Sequence, residues 1–366
     1  SVAFDHACAI LQNRTLQCWG YNSNGMLGYG DPDNRGDGPN EMGDNLPTVN
    51  LGTGRTVLAV ASSDYHDCAI LDDKSVKCWG DGGTGVRNDL MPGGDLILGN
   101  GPGEMGDNLP AVNLGTGRTA KAIAVGGTSS CAILDNGSVK CWGGNSSGQL
   151  GQGNIISRGD TAEAGHEMGD GLPAVNLGKG RKAKAIATNG ETVCAILDNG
   201  ALKCWGDNAY GQLGLGATGN RGDNATEMGD NLPAVSLGKG RKAKAVSVGG
   251  TSVCAINTLT QLFCWGDDTY GQVGDDASAP DTTIPVQVTD GLAADGFTPV
   301  AISTGWAQVD VAQTHACAVR TTGSQLYCWG DNSYGQFGDN SYDGQFVPKR
   351  VAGTYSWSLV ATGDFD

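Results

Sequence analysis

The chain has 366 residues, of which 61 are glycine and 12 cysteine, and its 39 acidic residues outweigh 23 basic ones for a formal net charge of −16. Glycine at this level without a collagen-like period points to many tight turns. A net negative surface repels nucleic acid and anionic membrane, so neither is expected as a partner. No apolar run reaches the roughly 18 to 20 residues of a membrane-spanning helix, and the chain opens at Ser1 with neither Met nor a charged-then-apolar leader, which reads as a processed or partial product.

From the N-terminus, the first recognisable unit is a pair of short apolar stretches around Cys8 and Cys18, the second closing on Trp19-Gly20. The pair returns as Cys68 and Cys78, Cys131 and Cys141, Cys194 and Cys204, Cys254 and Cys264, and Cys317 and Cys328, with first cysteines 60, 63, 63, 60 and 63 residues apart. Each second cysteine precedes Trp-Gly, at Trp79, Trp142, Trp205, Trp265 and Trp329. A corner then follows: GMLG at Gly25, GQLG at Gly148 and Gly211, GQVG at Gly271 and GQFG at Gly335. The second copy departs and reads WGDGGTGVRNDLMPGGDLILGN. Such self-similarity makes the chain six copies of one unit.

Each copy reads as four short strands, exemplified by KAKAIAT before Asn189, CAIL from Cys194, LKCWG, and LPAVNLG from Leu172. Helical periodicity is absent. Four-stranded units repeated radially make an all-β fold, a β-propeller, in which neighbouring sheets cover one another. Residues 1–366 are therefore expected to be one propeller domain of six repeats of about 60 residues, preferably a six-bladed ring whose first strand the C-terminal strand completes. Phe4-Asp5 echoes Phe365-Asp366 in that phase. A seven-bladed or longer array is the alternative.

A three-residue hairpin loop, Asp135-Asn136-Gly137, sets Cys131 opposite Cys141, with Gly137 supplying a positive φ. Opposed residues lie within disulfide reach. Six cross-strand disulfides are predicted: Cys8 with Cys18, Cys68 with Cys78, Cys131 with Cys141, Cys194 with Cys204, Cys254 with Cys264, and Cys317 with Cys328, whose loop is one residue longer. They imply an oxidising, extracellular compartment. Zinc is not indicated, since no CxxC or nearby His set completes a pair. Trp-Gly and the GQLG corner read as architecture, with Trp142 buried between sheets.

The unit CAILDNGSVKCWGGNSSGQLG resembles the repeat of the regulator of chromosome condensation family, and all six copies share the resemblance. His6, His66 and His315, two residues before the first cysteine, match the family's histidine, which Ser129, Thr192 and Ser252 replace in the other copies. The resemblance implies the propeller fold and little about function, because this fold carries many. The founding member's nuclear exchange activity and chromatin contact are disfavoured here by the cysteine pairs and the acidity.

Candidate binding residues come from the insertions after the corners of repeats one to four. These are GDPDNRGDGPNEMGDNLP, LGNGPGEMGDNLP, ISRGDTAEAGHEMGDGLP and ATGNRGDNATEMGDNLP. Loops a scaffold does not require are where binding concentrates. The residues singled out are Arg35, Asp37, Glu41 and Asp44; Glu104 and Asp107; Arg158, Asp160, Glu167 and Asp170; and Arg221, Asp223, Glu227 and Asp230. Asp31, Asp33 and Asp37 superficially resemble a calcium loop, but Arg35 occupies a ligand position and Met42 stands where a bidentate Glu belongs, so no cofactor is assigned beyond that weak calcium reading. Arg-Gly-Asp occurs at Arg35, Arg158 and Arg221, an adhesion signature when it lies on an exposed loop. Sequons at Asn13, Asn136, Asn145 and Asn224 are candidate glycosylation sites.

The links to the next repeat are basic: GTGRTV, GTGRTAKA and GKGRKAKA twice. By strand parity they lie on the rim opposite the insertions, with hairpin tips Asp72, Asp73, Asp135 and Asp198. Complementary rims could stack head to tail into a filament. Catalytic patterns are missing: GLGATG from Gly214 has no strand-turn-helix around it, and HEMGD at His166 lacks a second His. The expectation is an extracellular binding or structural module, not an enzyme, whose contact face is the insertion rim. Its partner would be a protein or glycan, or copies of itself. The alternatives are a filament subunit and a propeller enzyme acting on glycans.

Overall fold

The computed structural model describes residues 1–82, 97–159, 168–275, 281–288, 304–351 and 355–363. Within them are six antiparallel sheets and no α-helix. The first sheet holds β1 (His6–Ile10) and β2 (Leu16–Gly20). The second holds β3 (Val57–Ser62), β4 (His66–Leu71), β5 (Val76–Asp81) and β6 (Ile97–Leu98), and the third β7 (Ala120–Gly126), β8 (Ser129–Leu134) and β9 (Val139–Gly143). The fourth comprises β10 (Ala183–Asn189), β11 (Thr192–Leu197) and β12 (Leu202–Gly206). The fifth comprises β13 (Ala243–Gly249), β14 (Ser252–Asn257), β15 (Leu262–Gly266) and β16 (Thr282–Gln287), and the sixth β17 (Trp306–Val311), β18 (His315–Arg320), β19 (Leu326–Gly330) and β20 (Gln345–Arg350). The chain falls into two compact units, one of residues 1–176 with 222–226 and one of residues 177–221 with 227–366.

The hairpin register is the expected one. Cys131 faces Cys141 and Ile133 faces Val139, Gly137 takes φ +83°, and its amide closes the turn on Leu134 O. The other hairpins repeat it: Cys8 faces Cys18, Cys68 faces Cys78, Cys194 faces Cys204, Cys254 faces Cys264 and Cys317 faces Cys328. All six pairs are disulfide-bonded, with Cα atoms 4.1 Å apart in each. The last pair, Cys317 and Cys328, is separated by 11 residues and the others by 10. Its longer turn absorbs the extra residue and leaves the register unchanged.

The fourth strand departs from expectation. LPAVNLG and its sisters form no strand in sheets one to four; each touches its sheet at one point, as where Val175 N donates to Val139 O and Val235 N to Leu202 O. A second point lies on the far side of the insertion, where Arg35, Arg158 and Arg221 bridge Gly20, Gly143 and Gly206. The insertion thus splits the outer strand into two anchors. Where it is short, as in sheets five and six, β16 and β20 run continuously.

Within each unit, adjacent sheets are locked by Trp-Gly and the corner together. The indole Nε1 donates to the corner of the preceding sheet: Trp79 to Met26 O at 2.7 Å, Trp265 to Gln212 O at 2.8 Å and Trp329 to Gln272 O at 2.9 Å. The second corner glycine lies against that indole. A Cβ on Gly28, Gly214 or Gly274 would come within 2.9, 2.7 or 2.7 Å of Nε1, and each has positive φ. Trp142 is fully buried as expected, though its Nε1 has no hydrogen-bond partner.

Candidate binding surface

Two insertion glutamates hold their own loops. Glu41 Oε2 accepts from the amides of Gly36 and Gly38, and Glu104 Oε2 from those of Gly99 and Gly101. The MGD segments end in one-turn 3₁₀ helices at Gly43–Asn45, Gly106–Asn108, Gly169–Gly171 and Gly229–Asn231. Their aspartates reach the basic link before the sheet. Asp107 accepts from Thr53 N and Oγ1 at 2.8 and 2.5 Å, Asp170 from Thr116 N and Oγ1 at 2.9 and 2.5 Å, and Asp230 from Lys179 N at 3.1 Å. Hydrogen bonds from the Thr53 and Thr116 hydroxyls hold the Asp107 and Asp170 carboxyls below their ordinary pKa. The expected separation of an acidic rim from a basic one therefore fails. In repeats two to four the MGD end of the insertion meets the links, where Arg55, Arg118 and Arg181 also pair with hairpin-tip aspartates.

A buried lysine secures the same junction. Lys77, Lys140 and Lys203, in the KCWG strands, donate to the carbonyls of Gly106, Gly169 and Gly229. Lys140 and Lys203 also reach Leu114 O and Leu177 O, both at 3.1 Å. Gln17 plays this part in sheet one through Leu46 O. Repeats five and six lack the MGD turn and carry Phe263 and Tyr327 instead. Burial lowers the lysine pKa values. Lys203→Met should cost about 1–3 kcal/mol in denaturant unfolding, because Leu177 O and Gly229 O lose the buried ammonium; an unchanged midpoint would show the contact to be idle.

The remaining sequence candidates divide by burial. The Arg-Gly-Asp arginines are bridge residues, not loop tips. Arg35 pairs with Asp31 at 2.8 Å and Arg221 with Glu227 at 3.6 Å, and Arg158 is half-buried with Nε unpartnered. Asp31 spends its other oxygen on Asp33 N, and Asp37 accepts from Asn34, so a calcium ion there would have to displace Arg35. Asn13 and Asn136 are exposed at hairpin tips and Asn224 in its loop, whereas Asn145 is buried. Its amide nitrogen donates to Asn154 O and Ile156 O, which removes it as a glycan acceptor. Asp160, Glu167 and His166 lie outside the described residues. Exposed on the insertions are Asp33, Asp37, Asp44 and Met42, and in the third one Ile155 and Ile156 at 61% and 57% exposure.

Models of the regulator of chromosome condensation (RCC1) repeat match residues 4–25, 120–149, 183–256 and 307–365, together about half of the chain. The chain belongs to this family. It is 27% identical to the ultraviolet-B receptor UVR8 of Arabidopsis thaliana over 96% of its own length and 69% of the receptor's. It is 26% identical to the human E3 ubiquitin-protein ligase HERC2 over 81% of its length, but spans only 5% of that protein. Among solved structures, Prp20p of Saccharomyces cerevisiae, studied for its binding to Gsp1p and histones, superposes with a TM-score of 0.72 at 18% identity, covering 97% of this chain and 76% of Prp20p. Human WBSCR16 superposes with 0.71 at 20% identity, covering 99% and 84%. At these identities the structural likeness establishes the propeller fold.

The RCC1-type histidines are interior groups, not residues of an open rim. Each begins the strand that carries the first cysteine of its pair, and His66 Nε2 bonds Ser130 Oγ of the next sheet at 2.7 Å. His6 Nε2 meets Asp67 Oδ2 at 2.9 Å. Burial lowers His66 and His315 to about 4. For His6 burial acts the same way, but Asp67 and Asp5 together overcome it and raise the imidazole to about 10. Among the described residues the one cluster with metal-ligand spacing is His6, Cys8 and Asp67; Cys8 is spent in a disulfide, so the set does not suit a metal. Sequence reasoning missed Asp67 and the KCWG lysines. Lysine appearing only in repeats that carry an MGD segment was the signal for the latter.

Proposed function

We propose that this RCC1-repeat chain is a protein-binding module of an oxidising, extracellular compartment, and that its contact face is formed by the tips of the insertion loops. The observation that carries this reading is the anchoring of those loops. In the first, second and fourth insertions the base is held by carboxylates and by lysines of the neighbouring strands, so those loops are fixed before any partner arrives, which lowers the ordering cost of association. The adjacent exposed pair Ile155 and Ile156, beside the Gln152 and Asn154 backbone, favours a protein over a glycan, since a desolvated aliphatic anchor is characteristic of protein interfaces. Six disulfides, ten of whose twelve cysteines are under 3% exposed, are consistent with that compartment. No helix among the described residues is long and apolar enough to cross a membrane.

Stacking through oppositely charged rims is not proposed, because carboxylates and cations share the link side. Chemical cross-linking in the native source, comparing the wild-type chain with the Ile155→Asp/Ile156→Asp variant, tests the reading. The major cross-linked protein should disappear with the variant. An unchanged set of cross-linked proteins would remove the third insertion from the interface.

A further inference from the structure

Links three and four have the same sequence, GKGRKAKA, but differ in the carboxylates that the described residues place beside them. Link three carries Lys179, Arg181, Lys182 and Lys184; link four carries Lys239, Arg241, Lys242 and Lys244, all exposed. In links one to three, carboxylates face the cations from two directions. One comes from the hairpin tip of the following sheet: Asp73 on Arg55 at 2.8 Å, Asp135 on Arg118 at 3.0 Å, Asp198 on Arg181 at 3.5 Å. The other comes from the MGD turn, as Asp107, Asp170 and Asp230.

Among the described residues link four has neither. At its hairpin tip the aspartate is replaced by Thr258, while the backbone geometry is retained: Thr258 N donates to Lys242 O at 2.9 Å as Asp198 N donates to Lys182 O at 2.8 Å. The second carboxylate is missing because the fifth repeat has no MGD segment. Among the described residues no carboxylate pairs with Arg241. Among the described residues link four thus lacks both carboxylates that accompany links one to three, in a chain of net charge −16.

A hollow of about 250 Å³ opens beside them, lined by Gly200, Ala201, Leu237, Gly240, Arg241 and Lys242. The Lys242 stem packs over Gly200, where an added Cβ would lie 2.8 Å from it. The ammonium is thereby carried on a stem supported by the hairpin. A planar guanidinium with free donors can take two oxygens of one anion, and flanking ammonium groups add point charge.

We propose that link four and this hollow form a binding site for a tetrahedral oxyanion, a phosphate or sulfate monoester borne by a ligand. Arg241 takes two of its oxygens and Lys239 and Lys242 neutralise it, while the apolar wall at Leu237 and Ala201 receives the ester carbon. Link three is the internal control, because there Asp198 pairs with the arginine equivalent to Arg241 and Asp230 sits on the Lys179 amide.

The test is titration of the full chain with phenyl phosphate and phenyl sulfate at low ionic strength, followed through the backbone amide shifts of both links. Saturable shifts are expected at residues 239–242 and not at 179–182, and the tighter-binding probe identifies the ester. Thr258→Asp recreates a pairing the fold already holds at three other links, so it should fold normally, with an unchanged thermal midpoint, and weaken binding at least tenfold. Arg241→Gln should weaken it similarly. Non-saturating shifts, equal shifts at both links, or a Thr258→Asp variant that binds as well as wild type would overturn the proposal.

Discussion

Trp265→Ala should lower the unfolding free energy by about 3–5 kcal/mol, read from the denaturant midpoint with an unchanged slope. The indole is fully buried between sheets four and five, donates to Gln212 O at 2.8 Å, and fills a space to which Gly214 is fitted with φ +68°. Removing it leaves a cavity the two sheets cannot close, because disulfides and ladders hold both backbones. Trp265→Phe should cost less, about 1–2 kcal/mol, since the ring volume is mostly kept and Gln212 O loses its donor. Tyr270→Ala, at an exposed position five residues on, should stay within about 0.5 kcal/mol and serves as the control. A Trp265→Ala chain as stable as the control would mean that the sheets are not locked through this residue.

Asp67→Asn should cost about 3–5 kcal/mol at pH 5 and much less at pH 9. Asp67 is fully buried and is the counter-charge of the buried His6 imidazole, and removing one member of a buried pair leaves the other uncompensated. In the wild type the His6 pKa stands near 10 when folded against an ordinary 6.5. Its contribution is therefore complete below pH 6.5 and is lost as pH rises through 10. Without Asp67, burial, the largest influence on His6, is opposed only by Asp5 at 3.8 Å, so the imidazole falls well below its wild-type value and most of the stabilisation present below pH 6.5 is lost. His66 and His315, buried neutral with pKa values of about 4, also destabilise the fold as pH falls below 6.5; His315 acts equally in both proteins, whereas Asp67 favours the charged form of His66, so its loss adds to the acid-side penalty of the variant. Unfolding free energies at the two pH values decide the matter. A penalty independent of pH would show that His6 is not charged in the folded chain.

The hairpins were legible because their determinants are local. A spacing of 10 or 11 residues between paired cysteines, with a residue in the middle that tolerates positive φ, leaves one register. Arg14, Lys74, Thr260 and Ser324 take that conformation where Gly137 and Gly200 do elsewhere. The outer strand was misjudged because LPAVNLG has strand-like composition, while the insertion before it takes up the chain that would have continued the ladder. The insertion carboxylates were read as free because their partners are distant in sequence. Thr53 and Asp107 are 54 residues apart and Lys203 and Gly229 are 26 apart, and nothing in either segment alone announces the other. Asn145 shows the same limit: as a sequon it looks available, and as the residue that ties Asn154 and Ile156 to the corner it is interior.

Repeat number, hairpin pairing, disulfide pattern and family were determined by the sequence by itself, because each rests on contacts within one hairpin or on a motif copied six times. Which charges remain available was decided only by the tertiary structure. A carboxylate's freedom depends on what the adjoining sheet places opposite it: Arg181 pairs with Asp198 across the turn, while in the identical link four Thr258 stands there and no carboxylate among the described residues pairs with Arg241.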